Sequence, residues 1–370
     1  MGLQKEIIER ISMNNKQSIE NALREINNDL MYNLMSASKE LFHSNYHAWI
    51  FRRSPDIKKR FFKQFGIVAN TTSDDVIREA KKIDLLMSEP GFADIAIENK
   101  IYADLQIGQL ETYTTALNDA KTPWSGYVLS LLKPDFNKFT SAVSSKWKWL
   151  SYDDFIMFLE SNKSSLGLTP FETDYLDNYI KMVKKLSSVM SLLVPEQHEK
   201  LELLQLDFNK TFLGNINKMR MRAIGNYLTH EVRNLGKHEV FEKMYFGSGI
   251  TRNKIFLECE FPLSDKNFLG WQFQEGQFRL YGRIQNLHGK GRHQERVKYA
   301  HNNYSSWFDF KDVSEHLPTP LVIMPKDPTI MGQFDPDFIY RYVKISDLSL
   351  NSLLQMSLHL GKRKIVKDLK

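Results

Sequence analysis

Residues 82–102 read KIDLLMSEPGFADIAIENKIY, and this stretch decides the fold that the sequence predicts. In its second half, isoleucines alternate with alanine, glutamate and lysine, which is the pattern of a β-strand with one apolar face. The intervening Ser-Glu-Pro-Gly at 88–91 is a turn signal that can fold the first half antiparallel to the second. Asp84, Glu98 and Lys100 would then converge on one face of a small sheet.

Helices and strands surround this hairpin in a regular order. Apolar residues at spacings of three and four predict helices over 3–52, with separate helices at 40–51 and 55–65. Residues 76–87 predict one bent strand or two short ones. The later elements are a helix at 106–120, strands at 124–132 and 146–150, and helices at 153–160 and 169–193. This alternation of helices and strands predicts an α/β fold with an N-terminal helical segment.

The segment Val194-Pro-Glu-Gln197 predicts a domain boundary, with one domain at 1–194 and a second at 195–370. The second domain is predicted to be α+β. Its elements are helices at 209–233 and 350–359 and strands at 239–246, 254–262, 270–273, 277–285 and 320–324. Its function is left open between nucleic-acid binding, protein binding and regulation of the first domain.

Composition restricts the class of protein. The chain has 370 residues, a net charge of +6 and one cysteine. A single thiol forms neither an internal disulfide nor a zinc cluster, so a cytoplasmic location is expected. No window approaches 18 uncharged apolar residues, so no membrane span is expected. The positive excess falls in the second half of the chain. It is a weak sign of a polyanionic partner, because ordinary surface charge explains it about as well.

The three converging charges have two interpretations. Glu98 and Lys100 could simply pair on a solvated sheet face. Alternatively, Asp84 and Glu98 share a divalent cation, because neighbouring carboxylates repel each other unless a cation lies between them. Hard cations such as Mg²⁺ prefer such oxygen ligands.

The order of motifs resembles the PD-(D/E)XK nuclease superfamily, and more closely its bacterial branch with an IENK third motif and a Gln-Leu-x-x-Tyr helix. The motifs, in order, are Glu40 in KELFHSNYHAWIF, Glu79 and Asp84 in REAKKIDLLM, Glu98 and Lys100 in IAIENKI, and Gln109 and Tyr113 in GQLETY. The resemblance covers residues 40–132 and implies a restriction-endonuclease-like core, which is a central mixed sheet flanked by helices. Ile83 stands where the family name has proline. Residues 195–370 resemble no family that we can name.

The resemblance implies a role for each matching residue. The implied metal ligands, for Mg²⁺ or Mn²⁺, are Asp84, Glu98, Glu40 and the backbone carbonyl of Asn99. Glu40 would reach either the metal or a metal-bound water, and an ordinary surface glutamate of the helix is its alternative. The implied catalytic set is Asp84, Glu98, Lys100, Glu40 and Gln109. Lys100 would position the attacking water or stabilise the charge on the transition state. Glu79 is the weakest match, since it could instead pair with Lys81 or Lys82.

Two further clusters have alternatives that the sequence leaves open. His43 and His47 lie one helical turn apart, but no third metal ligand is evident and helix packing is favoured. Residues 277–301, QFRLYGRIQNLHGKGRHQERVKYAH, interleave cations with aromatics, as nucleic-acid surfaces do. The candidate nucleic-acid-binding residues are Arg283, Lys290, Arg292, Arg296 and Lys298. A solvated hairpin, with a loop at 288–293 between two strands, is the alternative.

The sequence thus predicts a metal-dependent endonuclease that binds nucleic acid, with DNA favoured over RNA. A role in bacterial restriction or anti-phage defence comes from the setting in which such proteins occur. The alternatives are a non-cleaving binding module on a nuclease fold and an RNA-directed nuclease. Whether the chain forms a homodimer is left open.

Overall fold

The chain divides into two compact units, Met1–Leu193 and Val194–Lys370. The computed structural model describes residues 2–38, 40–101, 105, 108–237, 239–251, 253–263, 266–274, 276–317, 322–345, 348–363 and 366, without the side chains of 2–14, 36–38 and 138. The predicted element ends at residues 102, 106 and 320 lie outside the described residues. No described helix is long and apolar enough to cross a membrane.

The first unit is built on a five-stranded mixed sheet. Its strands are β1 (Asp75–Arg78), β2 (Leu85–Ser88), β3 (Asp94–Lys100), β4 (Trp124–Ser130) and β5 (Trp147–Ser151), in the order β1-β2-β3-β4-β5. The first three strands are antiparallel, whereas β4 is parallel to β3 and β5 is parallel to β4. The predicted extended segment at 76–87 is therefore two short strands.

Helices in the described part of the first unit flank this sheet or precede it. They are α1 (Gly2–Asn27), α2 (Leu30–Ser38), α3 (Glu40–Arg53), α4 (Pro55–Phe65), α5 (Gln109–Asp119), α6 (Ser141–Ser144), α7 (Tyr152–Asn162) and α8 (Pro170–Leu192). A Thr169–Glu172 capping box fixes the start of α8. The order of elements confirms the predicted restriction-endonuclease-like α/β core.

The two faces of β3 have different environments. Ala96 faces an apolar cluster that includes Leu110 and Leu117 of α5 and Val128 of β4. Asn99 faces the other way and contacts α3. Because side chains alternate along a strand, Glu98 and Lys100 share the α5 side with Ala96.

The turn between β1 and β2 is strained. Glu79, Lys81 and Lys82 have φ angles of 55°, 55° and 69°, in the left-handed region that side chains other than glycine rarely adopt. Each such residue costs on the order of 1 kcal/mol or more. The turn ends at Ile83, directly before Asp84.

The second unit is built on a seven-stranded antiparallel sheet, and helices pack against it. Its strands are β6 (Tyr245–Thr251), β7 (Lys254–Pro262), β8 (Phe268–Gln274), β9 (Gln277–Arg283), β10 (Ile323–Met324), β11 (Gly332–Phe334) and β12 (Phe338–Lys344). The order is β10-β12-β9-β8-β7-β6, with β11 also pairing with β12. The helices are α9 (Lys210–Gly236), α10 (Glu239–Lys243), α11 (His293–Tyr304) and α12 (Leu350–Gly361). Short 3-10 turns lie at Ala80–Lys82, Phe136–Lys138, Lys163–Ser165, Gln285–Leu287, Ser305–Phe308 and Ser314–His316.

Several predictions for the second half are wrong in detail. Residues 239–243 are the helix α10, so the strand there begins at Tyr245 instead. The second arm of the predicted basic hairpin is the helix α11 and not a strand. The strand β12 was not predicted, although it pairs with β9 along seven residues.

Candidate active site

The hairpin register places two carboxylates opposite each other. Leu85 pairs with Ile97, so the preceding Asp84 lies opposite Glu98. Opposite residues of an antiparallel pair share a face, with their Cβ atoms roughly 4.5–5.5 Å apart. The Asn99 amide donates a hydrogen bond to Asp84 Oδ2 at 2.7 Å, which fixes the aspartate just before β2.

Glu98 lies at the centre of the site and is 3% exposed. Its Oε1 atom accepts hydrogen bonds from Lys100 Nζ at 2.8 Å and from Gln109 Nε2 at 2.7 Å. Its Oε2 atom is buried and accepts no hydrogen bond from any of the described residues. Since Glu98 and Lys100 are both buried, the solvated surface pair considered from the sequence is excluded.

The electrostatics of the site follow from burial and crowding. Burial, followed by the charge of Asp84, raises the pKa of Glu98 from 4.5 to about 7. Burial also raises the pKa of Asp84, although the Asn99 amide and Lys100 oppose that rise. Burial alone would lower the pKa of Lys100, but the neighbouring carboxylates, Glu98 first, raise it. The site therefore combines excess negative charge with one firmly protonated lysine.

The helix α5 closes the site from one side. Gln109, at its first turn, donates from one amide group to both Glu98 Oε1 and the Tyr113 hydroxyl, which lies at 2.8 Å. Tyr113 is one turn further along the same face of the helix. The predicted Gln109 thus lies within the site, in direct contact with Glu98.

Glu40 reaches the site from the first turn of α3. Its Oε1 atom accepts a hydrogen bond from the Ile101 amide at 3.3 Å, and its charge acts on Asp84, Glu98 and Lys100. Among the described residues, no three His, Cys, Asp or Glu side chains are close enough to hold a metal ion by themselves. A metal here would need further oxygen ligands, such as the Asn99 carbonyl.

The donor set nevertheless suits a divalent cation. Glu98 Oε2 is a buried carboxylate oxygen to which none of the described residues donates, and such an atom is costly unless something binds it. The raised pKa of Glu98 means that the site already attracts a proton near neutral pH. A hard cation would offset the same excess charge. The assignment of Asp84, Glu98, Glu40 and Asn99 as its ligands stays a prediction.

Glu79 does not belong to this cluster. It is exposed and lies 3.6 Å from Arg78 in an ion pair, at the strained turn. His43 and His47 are fully buried, and both contact the hydroxyl of Tyr179 in α8 at 2.8 Å. This arrangement fits the packing role that was favoured from the sequence.

The candidate nucleic-acid-binding residues of the second unit fall into two groups. Lys290 and Lys298 are exposed, and Arg292 pairs with Glu295 at the surface. Arg283 is half-buried and contacts Glu260 at 3.2 Å.

The assignment of Arg296 as a nucleic-acid-binding residue is wrong. Its side chain is 0% exposed and binds Asp335 at 2.7 Å. It also donates to the backbone carbonyls of Leu287, Gly289 and Pro336. Arg296 therefore holds the 288–291 loop in place and is not available to a phosphate.

Three residues near the site were not predicted from the sequence. Ser44 contacts the Asn99 side chain at 2.8 Å, and Tyr152 contacts it at 3.4 Å. Tyr179 lies behind them against the two histidines. Only Ser44 had a readable signal, because it lies one helical turn after Glu40 and so on the same face of α3.

Comparison with known proteins agrees with this geometry. The family model described as the PD-(D/E)XK nuclease superfamily matches residues 29–181, which span the whole candidate site. No curated protein and no solved structure matches the chain. The family implies a nuclease that binds nucleic acid, and its members generally use divalent metal ions. Residues 29–181 of this chain belong to the PD-(D/E)XK nuclease superfamily.

Proposed function

We propose that this chain is an endonuclease that hydrolyses phosphodiester bonds with Mg²⁺ or Mn²⁺. The observation that carries the proposal is the buried Glu98 carboxylate, which holds Lys100 with one oxygen while its other oxygen accepts from none of the described residues. A plain structural ion pair would not require a second carboxyl group with a raised pKa, Asp84, opposite the first. The combination suits a cation together with a lysine that faces the reacting phosphate.

The roles of the residues follow from their contacts. Asp84 and Glu98 would hold the cation, which supplies charge neutralisation and a more acidic water when bound. Glu98 Oε1 orients the ammonium of Lys100, so that it can hold the attacking water or stabilise charge on the phosphate in the transition state. Gln109 keeps Glu98 Oε1 occupied, which directs Oε2 toward the cation. Glu40 would accept a hydrogen bond from cation-bound solvent.

DNA is the proposed substrate, with a role in restriction or anti-phage defence. This choice rests on the setting in which such nucleases occur, with weak support from the basic charge of the second half. The exposed Lys290 and Lys298, with Arg292 and Arg283, are proposed to contact the phosphate backbone. Since these contacts are with phosphate and not with bases, they would give affinity without sequence specificity.

The test is incubation with supercoiled plasmid, linear duplex, single-stranded DNA and RNA, each with Mg²⁺, Mn²⁺ or EDTA. We expect metal-dependent nicking or linearisation of the plasmid. The variant Lys100→Ala should abolish it, whereas Lys59→Ala, which removes an exposed lysine of α4, should not. Cleavage of RNA alone would favour the RNA-directed alternative. Binding without cleavage in both metals would favour the non-cleaving module.

A further inference from the structure

The side chain of Asn99 lies on the opposite face of β3 from the catalytic pair and is fully buried. Its Nδ2 atom donates to Ser44 Oγ at 2.8 Å, and its Oδ1 atom accepts from the Tyr152 hydroxyl at 3.4 Å. Its backbone amide donates to Asp84 Oδ2 at 2.7 Å. Asn99 is therefore held by three elements, α3, α7 and the segment before β2.

A chain of buried groups extends this network away from the site. Burial lowers the pKa of His43 well below its usual value and that of His47 to about 3, so both rings are neutral and carry one proton each. Nε2 of His43 lies 2.7 Å from the Met35 thioether, which has no proton to donate, so this nitrogen carries the proton. Nδ1 of His43 then accepts from Tyr179.

The tautomer of His47 follows from the single proton of Tyr179. Because that proton goes to His43, the Tyr179 oxygen must accept from Nε2 of His47 at 2.8 Å. Nδ1 of His47 is left as a bare acceptor, and it accepts no hydrogen bond from any of the described residues. Burial has the largest effect on the pKa of His47 and lowers it, whereas the side-chain amide of Asn99 acts in the opposite direction and raises it.

The network also touches the first carboxylate. The Ser44 hydroxyl is one of the groups that lower the pKa of Asp84 and so favour its ionised form. Ser44 has a single proton, so its donation to the Glu40 carbonyl at 3.2 Å alternates with a donation to Asp84. Ser44 thus connects the side-chain amide of Asn99 with both Asp84 and the helix that carries Glu40.

We propose that Asn99 is a positioning residue for the cation, an inference that rests on the proposed function. Ser44 and Tyr152 fix the side chain of Asn99 by hydrogen bonds. The hydrogen bond from the Asn99 backbone amide to Asp84 fixes the backbone. Together they set the orientation of the peptide that joins Asn99 to Lys100. The carbonyl of this peptide belongs to Asn99 and would bind the cation. Groups that orient metal ligands in this way typically change metal affinity by about 10- to 100-fold when they are removed.

The experiment measures Mn²⁺ affinity directly, by calorimetry or by the paramagnetic signal of free Mn²⁺, so that it does not depend on cleavage. Ser44→Ala removes the acceptor of the Asn99 amide, Ser44→Thr keeps a hydroxyl, and Asn99→Leu removes the polar head at similar size. Ser125→Ala is the matched control, since Ser125 is a buried serine of β4 whose Oγ has no partner among the described residues. Asp84→Ala reports on the ligand assignment itself.

We expect Ser44→Ala and Asn99→Leu to weaken Mn²⁺ binding about 10-fold or more. Ser44→Thr should restore most of the affinity, and Ser125→Ala should leave it unchanged. In cleavage assays of Ser44→Ala, the metal concentration for half-maximal rate should rise while kcat at saturating metal stays within about 3-fold, because metal affinity alone is altered. A lower Tm with wild-type Mn²⁺ affinity in the Ser44 and Asn99 variants would overturn the proposal. If Asp84→Ala also binds Mn²⁺ normally, the proposed function fails as well.

Discussion

Replacing Glu98 by glutamine should make the metal-free protein more stable and unable to bind metal. Glu98 is 3% exposed, and its burial together with Asp84 raises its pKa from 4.5 to about 7. The folded chain therefore keeps the Glu98 proton to about pH 7, whereas the unfolded chain releases it near pH 4.5. Folded protein binds more protons across that interval, so its stability falls as pH rises through it and stays lower above it. Glutamine does not ionise and avoids this loss.

The size of the effect follows from the pKa difference. A rise from 4.5 to about 7 corresponds to about 3 kcal/mol of unfolding free energy at pH 8. Lys100 loses an ionised partner in the variant, which opposes part of that gain. The introduced glutamine would still accept from Gln109 through its own carbonyl oxygen. A net gain of about 1–3 kcal/mol in EDTA is expected, or roughly 2–10 °C in Tm for a unit of this size.

The assay is thermal unfolding of wild type and Glu98→Gln at pH 5 and pH 8, in EDTA and in Mn²⁺. The variant should gain stability at pH 8, gain little at pH 5, and lose the rise in Tm that Mn²⁺ gives the wild type. Glu258→Gln is the matched control, because burial and Glu260 raise the pKa of Glu258 in the second unit to about 7 as well. It should reproduce the pH-dependent gain without changing Mn²⁺ binding. A Glu98→Gln protein no more stable than wild type at pH 8 would refute the reasoning.

The remaining predictions concern the metal, the chemistry, the polymer and the turn. Mn²⁺ affinity should rise about tenfold from pH 6 to pH 8 and then level off, because Glu98 must lose its proton near pH 7; calorimetry showing a flat profile would contradict this. Lys100→Ala should lower the cleavage rate by about 100-fold or more while nucleic-acid affinity, measured by fluorescence anisotropy, changes little. Charge reversal at Lys290 and Lys298 should weaken binding and reduce its salt dependence by up to about one unit of slope for each phosphate that the protein no longer neutralises, with unchanged Mn²⁺ affinity. Lys82→Gly should stabilise the metal-free protein by about 1 kcal/mol in chemical denaturation, since glycine tolerates its φ of 69°; a loss of stability would show that the turn is not strained.

The strand β3 was predictable because its pattern is local. Alternating isoleucines predicted a strand at 93–102, and the strand is Asp94–Lys100. The helix α11 was not predicted, since only Arg296, Ala300 and Tyr304 of its twelve residues are buried. A buried arginine carries no helix signal, and the partner that permits its burial, Asp335, lies 39 residues further along the chain. The strand β12 does have a readable alternation in FIYRYVK, in which every second residue is buried.

The candidate site was predictable only as far as its motifs reach. Asp84, Glu98 and Lys100 lie within 17 residues of one another, and a turn signal brings them together. Gln109 follows at the start of the next helix, on the face that meets Glu98. Tyr152 and Tyr179 come from α7 and α8, more than fifty residues beyond Asn99 in the sequence, and both hydroxyls are buried by long-range packing. No local pattern distinguishes them from other core tyrosines.

Three kinds of unfavourable feature in the first unit coincide at one point, which argues that the point is functional. Three left-handed residues precede Asp84, the pKa of Asp84 and Glu98 is raised, and Glu98 Oε2 is buried without a donor among the described residues. Folding alone does not favour any of these, and sequences tend to keep such conflicts only where function requires them. The buried glutamates of the second unit differ, because Glu260 accepts from Tyr281 and Arg283, and Glu258 accepts from Gln272. Burial and a raised pKa are common to both places. Asp94 and Glu111 also have a buried oxygen without a partner among the described residues, so that oxygen alone does not single out Glu98. Its combination with a second carboxylate opposite, Asp84, and with the Lys100 ammonium is what suits the site to a cation.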